Sequence, residues 1–438
     1  MPTVVYRITD LLAKTVEDVP VGTNLGLFHL LFALLAGHFL PARGAVFTAL
    51  DAFGLPKPVL QRAVAALTYG SWQIEDLLQR WQQALQHEQR WLPNSYEGVR
   101  PVAADLTGFF RPQLQGCASK HYVAEAGKAL PATLVGLVGA VGHLGSGRLA
   151  LPRLMLSTLT GETTDAVLET RLITAANLTL VANEALIVDA GFELADLLAA
   201  GGRFVVRLPK NFTARLNHLP AYKGHGRPPE YGQIVRPLAR KRAGKTTDAT
   251  PPQATARWKD GRYKLTAGLW SDLVLRSSRP GAKTFRVVAI YDPRYKEPLL
   301  LATNLTVSAY ALWRLYKDRW SIEQLPLAAK AMLGAERAFV SGKDSRVRLP
   351  QLALLAGNVL SYVAATSAPV ASGFWDRCAR PTCGRLRRVL SRVRFSELPE
   401  PEGQLRKKNS VTAHLPTGVK GHRRTKAVAE PIEVAKAA

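Results

Sequence analysis

The sequence predicts an α/β protein, a mixed-sheet domain preceded by an all-helical N-terminal segment and interrupted by a β-rich insertion. Three observations predict it. Apolar residues recur at helical spacing through residues 1–95. From about residue 100 the pattern turns to short strand-like runs with helical stretches between them. Residues 211–304 are rich in Pro, Gly, Lys and Arg around scattered strand runs, and a strong helical pattern resumes at Ser308.

The N-terminal helices are expected over 25–40, 44–53, 58–68 and 72–91. Within them, residues 43–67 have the outline of a helix-turn-helix: a short apolar helix, a turn at Gly54, Leu55 and Pro56, and a second helix carrying Arg62. Any helical bundle has such turns, so DNA-end binding by this segment stays open. Strands follow at 102–110, 133–141 and 148–159, then a helix at 164–178. A short buried strand, 185–188, runs into Asp189-Ala190-Gly191-Phe192, and a helix through Ala200 leads to a strand at 203–208. Three strands, helix, strand, helix, strand is the order of an α/β domain. The insertion carries strands at 263–270, 285–291 and 299–302; helices are expected from Ser308 toward Leu333 and at 349–365. The division is therefore 1–95 helical, 96–210 first part of the α/β domain, 211–305 insertion, 306–370 second part, and 371–438 a basic, partly flexible C-terminal region.

Composition narrows the function. The chain has 438 residues, 47% of them hydrophobic, enough for a large core and two or three domains. Lys and Arg number 58 against 33 Asp and Glu, a formal charge of +25, so the summed field attracts polyanions and nucleic acid is the first partner expected. No long basic amphipathic helix suggests a membrane surface. Three cysteines, Cys117, Cys378 and Cys383, indicate a reducing compartment without a disulfide framework, hence a cytoplasmic protein, and with nucleic acid as its partner a nucleoid-associated one is expected. The apolar run 25–40 is too short to cross a bilayer and carries His29 and His38, so no membrane association is expected.

The most specific pattern is Tyr316-Lys-Asp-Arg319-Trp320-Ser-Ile-Glu323-Gln-Leu-Pro326-Leu-Ala-Ala-Lys330. At about 100° per residue, Tyr316, Arg319, Glu323 and Lys330 fall within a stripe of roughly 60°. An exposed face with local ion pairs would explain the charges but not the aromatic residues beside them. Pro326 removes an amide donor, and a kink there would loosen the angular argument for Lys330 alone.

Tyr-x2-Arg-x3-Glu-x6-Lys resembles the signature of DDE insertion-sequence transposases, specifically the insertion-sequence four family. The segment from Asp189 through Phe204-Val-Val-Arg207-Leu-Pro-Lys210-Asn211 resembles that family's second-aspartate region, and Asp105-Leu-Thr107-Gly-Phe-Phe-Arg111 resembles the first. The similarity spans about residues 100–360 in the right order. It implies a ribonuclease H-like fold, with the first aspartate on the opening strand, the second just after the fourth strand and the glutamate on a later helix. It also implies an endonuclease and strand-transfer activity at element ends, with Asp105, Asp189 and Glu323 as catalytic and metal-binding residues. Two Mg²⁺ ions, for which Mn²⁺ substitutes, would be the cofactor. The implied partners are double-stranded DNA, as terminal inverted repeats and as target, and a second copy of the chain in a homodimer. Tyr316, Arg319 and Lys330 would contact DNA, as would Arg207 and Lys210 beside the second aspartate. The carboxylates suit the chemistry because hard cations take oxygen ligands, and two ions about 3.5–4 Å apart stabilise both the attacking and the leaving oxygen.

Other candidates are weaker. Trp258 and Trp270 are candidates for stacking on an extruded base, with Trp270 kept as a DNA-contact candidate, although core packing explains either at least as well. Glu193, Asp196, Asp272 and Asp292 read as solvated or capping carboxylates. Cys378 and Cys383 with His414 and His422 have irregular spacing for zinc. The same carboxylates would also serve a ribonuclease H-like nuclease without strand transfer, and the fold alone would serve a domesticated, non-catalytic DNA-binding protein.

Overall fold

The computed structural model describes residues 2–111, 119–123, 126–145, 147–158, 165–222, 224–242, 245–336, 339–340, 342–371, 373–401 and 405. Helices α1 (Pro2–Val16), α2 (Thr23–Leu35), α3 (Val46–Ala52), α4 (Lys57–Tyr69) and α5 (Ile74–Glu88) come first. The first of these was not singled out from the sequence, yet Val5, Ile8, Leu12 and Val16 form its buried stripe. Helix α2 is buried on nearly all sides, as its unbroken apolar sequence requires. In the α3–α4 turn, Gly54 takes the left-handed conformation, with φ of 82°. Arg62 lies half-buried near His29, whereas the outward face of α4 shows Lys57, Gln61, Ala65 and Tyr69.

The chain then enters the sheet through β1 (Leu92–Pro93), β2 (Arg100–Phe110), β3 (Lys120–Val123), β4 (Lys128–Leu144) and β5 (Gly147–Ser157). Next come α6 (Asp165–Thr179), β6 (Glu184–Val188), α7 (Leu194–Ala200) and β7 (Phe204–Arg207). Neighbours run β5-β4-β2-β6-β7; β4 is antiparallel to β2 and β5, while β6 is parallel to β2 and β7. This is a mixed α/β arrangement with the expected strand and helix order, plus the short β1 and β3.

The insertion holds β8 (Ala214–Leu216), β9 (Ile234–Val235), β10 (Arg240–Arg242), β11 (Lys245–Thr247), β12 (Ala254–Asp260), β13 (Tyr263–Leu275), β14 (Phe285–Tyr291) and β15 (Leu299–Thr303). Apart from the β10–β11 ribbon, these strands do not stand apart. Strand β15 pairs antiparallel with β7, β14 with β15 and β13 with β14, so one thirteen-stranded sheet runs through both regions.

Helix α8 (Ala309–Leu327) crosses one face of this sheet and passes directly into a π-helical turn, Ala328–Met332. Its start is capped by Ser308, whose Oγ accepts from the Ala311 N–H at 3.1 Å. Leu312, Trp313 and Leu315 bury against Val205, Val288 and Leu301. A Cβ on Gly139 would come within 2.9 Å of both the Ile322 side chain and the Leu151 carbonyl, so glycine there lets α8 approach β4. Pro326 lacks the N–H of a helical residue, and the wider π turn after it absorbs the disruption.

Helix α9 (Lys343–Thr366) is long and apolar enough to cross a membrane, yet 83% of its apolar window is buried inside the protein. It is a core helix. Helix α10 (Cys383–Leu390) buries Leu386 and Leu390 against the same core, so the basic C-terminal region begins as folded structure and not as a tail. Cys117, His414, His422 and the rest of that region from 406 lie outside the described residues.

Helices α1–α5 share their core with the sheet and with α8 and α9: Leu27, Trp81, Leu137, Leu151, Ile322 and Leu355 belong to one cluster. The buried Trp81 indole donates to Asn358 Oδ1 at 2.7 Å, and the Asn358 amide donates to the Ala150 carbonyl at 2.8 Å. One polar chain thus joins α5, α9 and β5 in the interior, where a lost partner would leave a desolvated group.

Candidate active site

The site is set by strand register. Strand β2 pairs in parallel with β6 as far as Ala103 opposite Ile187, two residues before Asp105 on the one strand and two before Asp189 on the other. Strand β6 is buried along its whole length and ends at Val188, which places Asp189 just past the C-terminal end of the strand. The β6–β7 register sets Val188 opposite Val206, which brings Arg207 beside Asp189. Helix α8 then brings Tyr316, Arg319 and Glu323 to that strand end.

Arg319 is the centre of the arrangement. Its Nη2 lies 2.7 Å from Glu323 Oε1 and 3.4 Å from Asp189 Oδ2, and its side chain is only 8% exposed. The Tyr316 hydroxyl donates to Asp189 Oδ1 at 2.9 Å, and Arg207 Nη1 lies 3.7 Å from the same oxygen. One guanidinium nitrogen therefore bridges the second aspartate and the glutamate. Asp105, half-buried, accepts from the Leu106 N–H at 2.9 Å.

Electrostatics ties the three carboxylates together. Burial pushes Asp105 up to about 6; the Glu323 and Asp189 charges add to this, against the Leu106 N–H and Arg319. Burial would also raise Asp189, but Arg319, the Ala190 N–H, Tyr316 and Arg207 hold it below the usual carboxylate range. Burial and the Asp189 charge raise the Tyr316 phenol to about 12, so it stays a donor. Lys330 lies within the π turn, with its Nζ 5.1 Å and 5.7 Å from the ring centres of Phe109 and Phe110 on the Asp105 strand. Burial lowers its pKa, opposed by Glu336 and Asp105.

The ionisation of Asp105 has a testable consequence. Its pKa is higher folded, about 6, than the ordinary 3.8, so the ionised form opposes folding. That penalty is absent below the unfolded value and develops as pH rises through the folded one. Asp105→Asn is accordingly expected to raise Tm at about pH 8 and to leave it unchanged near pH 3.5. Thermal melts of both proteins across this range check it; an unchanged or lower Tm at the alkaline end contradicts the burial account.

A divalent ion would draw on these carboxylates. Among the described residues no three His, Cys, Asp or Glu side chains stand together as a metal-holding group. Asp189 and Glu323 do fit one in their chemistry, since both already hold a cationic group between their oxygens.

Next to this strand end, α8 borders an open groove of about 590 Å³ lined by Arg207, Lys210, Arg294, Lys317, Arg319 and Trp320. Trp320 is 64% exposed. Lys210 is ion-paired with Glu297. A second groove of about 690 Å³ on the other flank of α8 is lined by His143, Arg148, Arg314 and Lys317.

Trp270 does not belong to this surface. It is 3% exposed, lies in the core with Leu273 and Phe285, and donates its indole N–H to the carbonyls of Thr250 and Pro251 at 3.2 Å and 3.0 Å. It has no free face for a base. Trp258 likewise packs on Tyr310 and Trp313, which docks β12 against α8.

The competing carboxylates have local partners: Asp196 accepts from Thr170, Asp272 from Asn217, and Asp292 binds Arg294. Sequence reasoning missed two acidic features. Glu169 lies near Asp165, Glu193 and Asp196, and burial plus these charges raise it to about 7. Asp318, fully buried, accepts from Asn94 and Tyr96 at 2.6 Å and 2.9 Å and lies 2.7 Å from Arg148 Nε. Its position two residues after Tyr316, about 200° around the helix, was a readable sign that it faces away from the site and anchors α8.

Compared with known proteins, the chain matches no protein-family model, and no curated protein matches it.

Proposed function

We propose that the protein is a DDE transposase of the insertion-sequence four kind, with a ribonuclease H-like catalytic domain, that cuts DNA at element ends and joins the product to a target. The observation that carries this reading is that Arg319 links Glu323 to Asp189 just past the end of β6, next to the strand that carries Asp105, whose carboxyl feels the charges of both. Asp105 is on the first long strand, Asp189 follows β6, and Glu323 lies on a later helix, the order that the resemblance implies.

In this reading Asp105, Asp189 and Glu323 hold the divalent ions, which when bound stabilise charge on the attacking and leaving oxygens. The groove cations Arg207, Lys210 and Lys317 attract and orient the DNA backbone. Tyr316 holds the Asp189 carboxylate in place through its hydroxyl. The inverted repeats, the target duplex and a second copy of the chain are the partners of this activity. The expected result is Mg²⁺-dependent strand cleavage, by the purified protein, of a labelled duplex containing the DNA that flanks its coding region. No cleavage with either Mg²⁺ or Mn²⁺ would falsify the catalytic reading.

The Arg319 bridge also favours a second reading, a DNA-binding protein in which the guanidinium is a permanent counter-ion. That protein would bind duplex without taking up Mn²⁺. Under both readings the charge of +25 predicts release of many counterions. Duplex affinity should therefore fall by orders of magnitude between about 50 and 200 mM salt. A flat salt dependence in an anisotropy titration would exclude a phosphate interface.

A further inference from the structure

Two of the arginines that bind buried or half-buried carboxylates, Arg153 and Arg319, do so differently. Arg153 meets Glu184 with both fork nitrogens, at 2.8 Å and 2.7 Å, the geometry of a permanent structural pair. Arg319 stretches a single nitrogen between Asp189 and Glu323. Its Nε, though buried, has no hydrogen-bond partner among the described residues. A nearly buried guanidinium with an unused donor is incompletely satisfied where it is. The fork suits a phosphate, which would accept two bonds from it.

We propose that Arg319 is an internal counter-ion that closes the metal site, and that a DNA phosphate opens the site by taking the guanidinium, so that divalent metal and DNA bind with positive coupling. The inference rests on the reading of Asp189 and Glu323 as metal carboxylates. Metal ion and guanidinium compete for the same oxygens, Asp189 Oδ2 and Glu323 Oε1. Without DNA, an arriving ion must expel a largely buried cation that has no better partner. With DNA, the arginine exchanges two carboxylates for a phosphate and the carboxylates become available together. Reciprocity follows: DNA tightens metal binding and metal tightens DNA binding by the same factor. A protein so built does not hold an armed metal centre until its substrate is in place.

The test is a Mn²⁺ titration of the full chain, followed by the electron paramagnetic resonance of free Mn²⁺, with and without a short duplex. Wild type should bind Mn²⁺ weakly alone and more tightly with duplex, by a factor in the roughly 5- to 150-fold range of coupled sites. Arg319→Gln should bind Mn²⁺ alone about as tightly as wild type does with duplex, and duplex should change it little. Arg319→Lys, which keeps the charge but loses the fork, should lie between. Equal Mn²⁺ affinity of wild type with and without duplex, or unchanged affinity and coupling in both variants, overturns the proposal. Asp189→Asn separates the two ideas. If it takes up Mn²⁺ as wild type does, the assignment of the metal site fails; if it loses Mn²⁺ while Arg319→Gln behaves as wild type, only the interlock fails.

Discussion

Asp105→Asn, Asp189→Asn and Glu323→Gln are each expected to lower Mg²⁺-dependent strand cleavage by at least about a thousandfold, the scale on which members of a cooperative catalytic set act. Duplex binding should survive in all three. The carboxylates stand among cations: Arg207 and Arg319 both approach Asp189, and neutralising it leaves those guanidinia freer for phosphate. Asp189→Asn should therefore bind duplex at least as tightly as wild type. The protein itself remains folded, because each substitution keeps the size and shape of the side chain and removes only its charge. Cleavage and binding measured on the same labelled duplex decide the matter. A variant that cuts at the wild-type rate removes its residue from the set, and one that loses binding along with cleavage points to a structural role.

Trp81→Ala should be the most damaging single core change, at about 3–5 kcal/mol of unfolding free energy. The side chain is fully buried, packs edge-on against Tyr362, and its indole satisfies Asn358. Truncation leaves a cavity and a buried amide oxygen without its donor, two penalties at one position. Because the helices before residue 90 share a core with β5 and α9, the loss should be felt by the whole protein. Denaturant unfolding followed by fluorescence and circular dichroism checks this. Coincident transitions displaced to lower denaturant are expected; two separated transitions would mean that the helical segment folds on its own.

Much of this fold was legible because its signals are local. The apolar spacing at 25–40 and 72–91 became α2 and α5, and the runs at 102–110, 133–141 and 148–159 became β2, β4 and β5 as far as the described residues extend. What stayed hidden depends on partners distant in sequence. No pattern in residues 285–303 says that β15 will pair with β7 and make the insertion part of the main sheet. Trp270 shows the same limit. Alternation along β13 assigns a side chain to a face, but not whether that face is covered, and Trp270 faces the covered side, just before a bulge. At the site, helical spacing put Tyr316, Arg319 and Glu323 on one stripe. That Arg319 bridges to Asp189 follows from where β6 ends, which only the strand register defines.

The pairing of β7 with β15 has a consequence during synthesis. Strand β7 is complete at Arg207, with Phe204, Val205 and Val206 ready to be buried, but the strand that covers its open side begins at Leu299. At roughly 5–20 residues per second, the wait is on the order of ten seconds. Throughout that interval the growing chain exposes unpaired backbone groups beside apolar side chains, a template for pairing with another chain. Yield in a cell thus depends on how well that edge is shielded at the ribosome, as well as on the stability of the finished protein.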